Sequence, residues 1–288
     1  MQKLQHLGPN YYKTEIIGSI LFFLFSTFLV VSWDCTSWLA FSKEWISKVV
    51  FMSFESSAPT HLYFLFLWMV SFFIIDVSLI TAFLRWAKLD ETARWFALHV
   101  VGNIFVIVFS APDAFNVLLW PNTYLSYGPD TSLKCIYAAI SLHVYHLVAY
   151  FPKLKKEDFI HHFVSAYMAG FFALCASWGA VRSLHCFFIT GLPGGIDYVM
   201  LLAVKAGKMN ILTEKKYNSL LNTWIRSVGI VISTAYIHLF IDRNQEHLTY
   251  PLLYMLGNLS NIWNAMHYNY IVCESYVKNR TIMAEKEK

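Results

Sequence analysis

Residues Leu62–Leu84 read LYFLFLWMVSFFIIDVSLITAFL, an apolar run in which Asp76 is the only charged side chain. A helix needs about 20 mostly apolar residues to cross the hydrocarbon core of a bilayer. The run therefore predicts a membrane span, and it decides the fold class: an all-α, polytopic membrane helix bundle of seven or eight spans. The eight candidate spans are Ile16–Trp33, Leu62–Leu84, Trp95–Trp120, Cys135–Phe151, Phe159–Ser177, Leu184–Val204, Tyr217–Ile241 and Tyr250–Val272.

The composition agrees with this class. Apolar residues make up 57% of the chain and charged residues 14%, whereas a soluble domain carries roughly 25% charged residues. Aromatic residues account for 18% of the chain, and Trp and Tyr concentrate at membrane interfaces. The net charge of +4 is small and the basic residues fall in short loops, which argues against a nucleic-acid-binding surface.

The basic residues also predict an orientation. With eight spans, the segments on the side of the N-terminus hold 16 Lys and Arg residues, and the four loops on the opposite side hold 5. Cytosolic loops of membrane proteins carry such an excess of Lys and Arg. Both termini are therefore expected in the cytosol.

Three regions follow from the span pattern. Residues 1–60 combine a first span with an amphipathic segment that is expected to lie in the membrane interface. Residues 61–272 form the main transmembrane bundle, and residues 273–288 form a polar cytosolic tail whose last part, from Asn279, is expected to be disordered.

Two spans contain residues that disturb a helix. The run Ser110-Ala111-Pro112-Asp113 is expected to kink or end the third span, because Pro lacks the backbone donor that a helix interior needs. The run Gly191-Leu192-Pro193-Gly194-Gly195 predicts a break in the sixth span. A broken helix at membrane depth is tolerated where it lines a cavity. Asp197 follows directly after this run of residues.

Polar side chains recur at similar depth in seven of the spans. Such groups are costly in a membrane, so they face the bundle interior and mark functional sites. Each one alone is equally well explained as an interhelical hydrogen bond. Together they predict a water-accessible site in the cytosolic half of the bundle. The members are Asp76, His99, Asn103, His143, His146, His161, His162, Asp197, Asn222, Asn264 and His267, with Asn258, Asn261 and Asn269 extending a polar stripe on the eighth span.

The run from Lys155 to Ser165, KKEDFIHHFVS, resembles the signature of the TLC-domain family, which includes ceramide synthases. In that family a charged loop leads into a span that opens with a His-His pair, here His161 and His162. The next span carries acidic residues, here Asp197, and runs into a cytosolic lysine, here Lys205. The resemblance implies a TLC-like bundle that binds membrane lipid and a fatty acyl chain, resides in the endoplasmic reticulum and can form homo-oligomers.

The resemblance also implies a reaction. An acyltransferase of this type moves an acyl group from acyl-CoA, as co-substrate, to a lipid amine or hydroxyl. His161 or His162 would act as general base, and Asp197 would orient it. No bound cofactor and no metal ion are expected. The expected binding residues are His143, His146, Asp76, Asn222, Arg226, Asn261, Asn264 and His267.

Three alternatives remain open at this point. A non-catalytic protein that binds, senses or transports lipid on the same scaffold fits the single acid in the sixth span, where ceramide synthases have two. A di-iron hydroxylase is prompted by His143, His146 and the His161-His162 pair, because imidazole suits iron. A channel or transporter is prompted by the predicted break in the sixth span.

Overall fold

The computed structural model describes residues 58–126, 133–150, 162, 170–175, 178–245 and 251–286. All regular secondary structure within these ranges is helical, as the sequence predicted. The predicted first span, almost all of the predicted interfacial segment and most of the span Phe159–Ser177 lie outside the described residues, and so does His161.

The described residues up to 175 contain six helices. They are α1 (Ala58–Ile75), α2 (Thr81–Ala87), α3 (Arg94–Leu119), α4 (Pro121–Tyr124), α5 (Lys134–Tyr150) and α6 (Gly170–Cys175). A π-helical segment, Asp76–Ile80, joins α1 to α2 without interruption, and a short 3-10 turn, Glu91–Ala93, precedes α3.

The described residues from 178 onward contain five helices and two further π-helical segments. The helices are α7 (Val181–Cys186), α8 (Leu192–Lys205), α9 (Ile211–Leu221), α10 (Val228–Arg243) and α11 (Pro251–Lys286). The π-helical segment Phe187–Gly191 joins α7 to α8, and the segment Asn222–Ser227 joins α9 to α10.

Four continuous helices of the described part are long and apolar enough to cross a membrane. They are His61–Ala87, Glu91–Leu119, Val181–Lys205 and Ile211–Arg243. These correspond to the second, third, sixth and seventh predicted spans. The predicted fourth span is a helix of 17 residues and the predicted eighth is part of a helix of 36 residues, so the count of eight spans stays a prediction.

Helix α3 lies at the centre of the bundle, where it packs against α5, α7 and α8. The close approach of α3 to α5 depends on Gly102, because a Cβ atom at this position would lie 2.5 Å from the buried side chain of Leu142. A second contact joins α3 to α8, where the side chain of Asn103 fills the space beside Gly194. These contacts set the spacing between the helices that carry the polar groups.

The outer faces of the same helices are apolar. Phe66, Phe73, Trp224 and Val231 are each more than half exposed, although they belong to the long helices. Exposed apolar surface on this scale is unfavourable in water and favourable against lipid. The helices are thus compatible with an integral membrane protein.

Helix α3 continues through Pro112 to Leu119, so the third span does not end at that proline. Two other local predictions were wrong. The sixth span is not broken: the helix from Val181 to Lys205 is continuous, and its π-helical segment lets Pro193 occupy the first turn of α8, where a missing backbone donor costs little. The tail beyond Asn279 is helical as far as Lys286.

Candidate functional site

Four histidine rings gather where α3 and α5 meet. Helix α3 carries His99, and α5 carries His143 and His146, which share one face because they are three residues apart. His162, also in a helical conformation, adds the fourth ring. These four residues are called the imidazole cluster below.

The rings are in contact with one another. Ring centroids lie 4.8 Å apart for His99 and His146, 4.4 Å for His146 and His162, and 5.2 Å for His143 and His162. The Nδ1 atom of His146 lies 3.3 Å from the Nε2 atom of His99. The cluster is therefore a group of side chains close enough to share a ligand or a proton.

Three members of the imidazole cluster are buried and the fourth is half-buried. His99, His146 and His162 are buried, with 3%, 0% and 4% of their surface exposed. His143 is half-buried and is thus the most exposed of the four rings. One ligand atom from each of the three buried rings lies within 4.8 Å of the others, and in the described part of the chain this group contains no carboxylate or thiolate.

Backbone carbonyls fix which nitrogen carries the proton in two of the rings. The Nδ1 atom of His99 lies 2.9 Å from the carbonyl oxygen of Trp95, and the Nδ1 atom of His143 lies 2.7 Å from that of Ala139. A carbonyl oxygen only accepts hydrogen bonds, so each Nδ1 donates and each Nε2 keeps its lone pair. His99 and His143 thus present a basic nitrogen on the side away from the backbone.

Aromatic side chains hold the cluster in place. Tyr198 of α8 packs on His99 with 4.4 Å between ring centroids, and Tyr150 packs edge-on against His146 at 5.2 Å. Trp95 stacks on His99 at 5.6 Å and contacts His146 and His162 edge-on. Rings enclosed in this way have few alternative rotamers.

A second polar group lies between the same helices. Asp76, in the π-helical segment after α1, accepts a hydrogen bond at Oδ1 from Nε of Arg94 at 2.7 Å. Its Oδ2 accepts from the hydroxyls of Tyr145 at 2.8 Å and Tyr150 at 3.2 Å. These four residues are called the acid network below; the buried carboxylate has partners on both oxygens.

Asp197 does not lie with the histidines. The charged groups that act on it are Arg226, Glu214 and Lys215, on the segment from α9 to α10. Its neighbour Tyr198 is the residue of α8 that contacts the imidazole cluster, and adjacent helical residues point about 100° apart. The predicted partnership of Asp197 with His162 is therefore absent from the structure.

Asn222 and Arg226 belong to the region of Asp197. Arg226 donates to the side-chain oxygen of Asn222 at 2.5 Å, and Asn222 donates to Asn218, which bonds in turn to the buried Glu214. The atoms Nε of Arg226 and Oδ1 of Asp197 are buried, and neither has a hydrogen-bond partner among the described residues.

The predicted residues of the last helix are also separate from the imidazole cluster. His267 stacks on Trp263 of its own helix at 5.2 Å. Asn261 lies beside His185 of α7, and Asn264 is half-buried on α11. The polar residues that the sequence placed in a single layer thus form distinct groups in the described part of the chain.

The imidazole cluster lies near one end of the bundle. His99 is five residues from the start of α3, which is about 8 Å at the helical rise per residue. At that end Asp90 caps the turn before α3 by accepting from the backbone N–H of Thr92 at 2.9 Å, and Lys205 donates to the hydroxyl of Thr92 at 2.7 Å. The hydrogen bonds from Thr92, with a smaller contribution from Lys205, lower the pKa of Asp90.

Sequence reasoning missed several residues around the cluster. Arg94, Tyr145, Tyr150 and Tyr198 lie beside predicted polar residues but were not singled out. For Arg94 the signal was present, because a charged residue at the start of a span can reach an acid such as Asp76 in a neighbouring helix. For the tyrosines no signal was available, since the chain has 17 of them.

Comparison of the chain with protein-family models, with curated proteins and with solved structures found no match.

Proposed function

We propose that this protein is a TLC-like integral membrane enzyme that transfers an acyl group from acyl-CoA to the amine or hydroxyl of a membrane lipid. The observation that carries the proposal is the half-buried imidazole of His143 beside three buried imidazoles, one to two helical turns from the end of the bundle. Imidazole is the side chain best suited to take and return a proton near neutral pH.

His143 is the general base in this proposal. Its Nδ1–H donates to the Ala139 carbonyl, so Nε2 is the atom that accepts a proton. As the lipid nitrogen or oxygen attacks the thioester carbonyl, Nε2 takes its proton. The carbon–sulfur bond then breaks, an amide or ester bond remains, and the CoA thiolate takes the proton back from the imidazolium.

The role that the resemblance gave to His161, His162 and Asp197 changes accordingly. His162 touches the ring of His143 and orders it, whereas Asp197 lies with Arg226 and acts on charge in that neighbouring region. His161 lies outside the described residues.

The topology belongs to the proposal as well. The excess of basic residues supports a cytosolic position for both termini and for the loop of Lys88, Asp90 and Thr92. Acyl-CoA, which is made in the cytosol, would then reach the cluster from the nearer end of the bundle. Residence in the endoplasmic reticulum and an eight-span architecture are part of the same proposal.

The test is acyl transfer by the full chain reconstituted in lipid nanodiscs. Radiolabelled palmitoyl-CoA is supplied with a long-chain amine or with diacylglycerol, and labelled lipid product and free CoA thiol are measured. His143→Gln is expected to lower the rate by about 100-fold or more, the usual contribution of a positioned base. His238→Ala, which changes a half-buried histidine of α10 away from the cluster, is the matched control and keeps the rate. Equal rates in the two variants contradict the proposal.

A second function, lipid binding without chemistry, has one observation in its favour. The carboxylate that the resemblance places beside the histidines lies near Arg226 instead, and no carboxylate of the described residues belongs to the group of His99, His146 and His162. A binding protein would quench or shift the fluorescence of its tryptophans, including Trp95, on saturable addition of lipid, and would release no CoA.

A further inference from the structure

We infer that His99, His146 and His162 form a binding site for a zinc ion. The three side chains come from three different segments of the chain, all three are buried, and one ligand nitrogen of each lies within 4.8 Å of the other two. Neutral imidazole is the commonest metal ligand in proteins, and a set of nitrogen ligands suits zinc.

The distance between the two nearest nitrogens fits a zinc ion. Zinc–nitrogen bonds are about 2.0–2.1 Å long, so two nitrogens at neighbouring corners of a tetrahedron lie about 3.3 Å apart. The Nε2 atom of His99 and the Nδ1 atom of His146 are 3.3 Å apart. A hydrogen bond between the two rings explains this pair equally well. The position of the third ring, His162, is therefore needed to distinguish a hydrogen bond from a shared ion.

The third ring completes a triangle. Rings that bind one tetrahedral ion through a nitrogen each have centroids about 5 Å apart. The three centroid distances are 4.8 Å for His99–His146, 4.4 Å for His146–His162 and 6.3 Å for His99–His162. One shared ion accounts for all three buried imidazoles at this spacing.

The surroundings of His99 are those of a metal ligand. A ligating histidine usually donates its other ring N–H to a carbonyl or carboxylate, which fixes the ring and raises the basicity of the ligating nitrogen. The Nδ1–H of His99 donates to the Trp95 carbonyl at 2.9 Å, so Nε2 is the atom that faces His146. Tyr198 and Trp95 pack on the ring and restrict its rotation.

The ligand set also predicts the kind of zinc site. Three histidines leave the fourth tetrahedral position open, which is the pattern of catalytic zinc and not of structural zinc. No carboxylate of the described residues belongs to the set, so the bound ion keeps its full positive charge and favours an oxygen ligand that is or becomes anionic.

The site itself stands on this geometry alone, whereas its use in a reaction rests on the proposed acyl transfer. An ion at this position would polarise the thioester carbonyl, and His143, which is not one of the three ligands, would remain the base. The division of the cluster into three buried rings and one half-buried ring corresponds to these two roles.

The first experiment measures metal content without reference to activity. The full chain is purified without a polyhistidine tag, stripped with a chelator, dialysed against buffered Zn²⁺ and analysed by atomic emission. Wild type and His238→Ala are expected to retain about one zinc ion per chain, and His99→Gln and His146→Gln to bind it at least about 10-fold more weakly. The inference is overturned if the wild type retains about ten-fold less than one zinc ion per chain. It is also overturned if all variants bind zinc with equal affinity.

A second measurement needs only the wild type, in case the variants do not fold. X-ray absorption at the zinc edge is expected to show three imidazole nitrogens at about 2.0–2.1 Å and one further light atom. Sulfur ligands, or a shell of oxygens alone, overturn the inference.

The outcomes separate this inference from the proposed function. Zinc binding without acyl transfer supports the metal site and contradicts the enzyme. Acyl transfer that survives complete removal of zinc supports the enzyme and overturns the catalytic use of the metal. Loss of zinc from His99→Gln with retention in His143→Gln, which loses transfer but keeps the three ligands, is the result expected if both are right.

Discussion

The imidazole cluster and the acid network both include side chains of α3 and α5, and they differ in the hydrogen-bond partners of their polar atoms. In the acid network each oxygen of Asp76 accepts hydrogen bonds, from Arg94 on one side and from two tyrosine hydroxyls on the other. In the imidazole cluster four side chains of one kind face one another, and none is an acid.

The difference indicates different roles. A buried carboxylate with a full set of partners fixes the positions of the helices that supply them, and removal of one partner is costly. A group of like bases contributes little to the stability of the fold by itself. Its function is to bind a proton or a cation. Variants of the acid network should therefore lower stability, while variants of the imidazole cluster should lower binding or activity.

The largest expected effect is that of Asp76→Ala. It leaves the guanidinium of Arg94 and the hydroxyls of Tyr145 and Tyr150 without their shared acceptor, so we expect a loss of about 3 kcal/mol or more in the free energy of unfolding. Unfolding of the full chain in mixed micelles measures it. A loss as small as that of His143→Gln would remove the distinction between the two groups.

Tyr145→Phe should have a smaller effect. It removes one of the two hydroxyl donors to Oδ2 of Asp76 and leaves the other, that of Tyr150, in place. Hydrogen bonds to charged groups contribute about 1.5–3 kcal/mol, and the lower end is expected because the carboxylate keeps a partner. Tyr63→Phe, which changes an exposed tyrosine of α1, is the control and should leave the unfolding curve unchanged.

Gly102→Val tests the contact on which both groups depend. The new side chain would meet Leu142 and force α3 and α5 apart, at a cost of about 1–3 kcal/mol. Because His99 and His146 lie on these two helices, zinc affinity should fall together with stability. A stable variant with unchanged zinc binding would show that the spacing of the helices does not matter for the cluster.

The smallest effect is expected at the end of the bundle. The folded state lowers the pKa of Asp90 below its usual value of 3.8, so its contribution to stability is present above that pH and is lost as the pH falls through the lower, folded value. Between pH 5 and 3, wild type should lose slightly more thermal stability than Asp90→Asn, which carries no titrating group there. If the melting temperatures of the wild type and Asp90→Asn fall by the same amount over this pH range, the cap contributes nothing to stability.

The sequence predicted the helices better than it predicted their partners. Apolar length identified the four described helices that are long enough to cross a membrane, and the cost of a buried charge identified Asp76 and the histidines. Which polar residues meet depends on helix rotation, which a run of apolar residues on all sides does not encode. Asp197 and Tyr198 illustrate this, because they are adjacent in sequence and contact different groups.

The sequence did not predict how the helices continue past two of their prolines, and the reason is related. Pro112 and Pro193 have the chemistry of helix breakers, yet both helices continue. In α8 the widened turn that precedes the proline absorbs the missing donor, and single-residue preferences do not encode such a turn.

The widened turns have a consequence for how the chain tolerates change in length. A π-helical turn accommodates one residue more than an α-helical turn, so it holds an extra residue without ending the helix. Two of the three begin at buried polar residues, Asp76 and Asn222. Deleting one residue from such a segment would return it to an α-helical turn and leave the helix beyond it in nearly the same alignment, whereas the same deletion in an α-helical part would rotate everything beyond it by about 100°. Deletions of one residue should therefore disturb the alignment of the polar side chains less in the widened turns than elsewhere in the same helices.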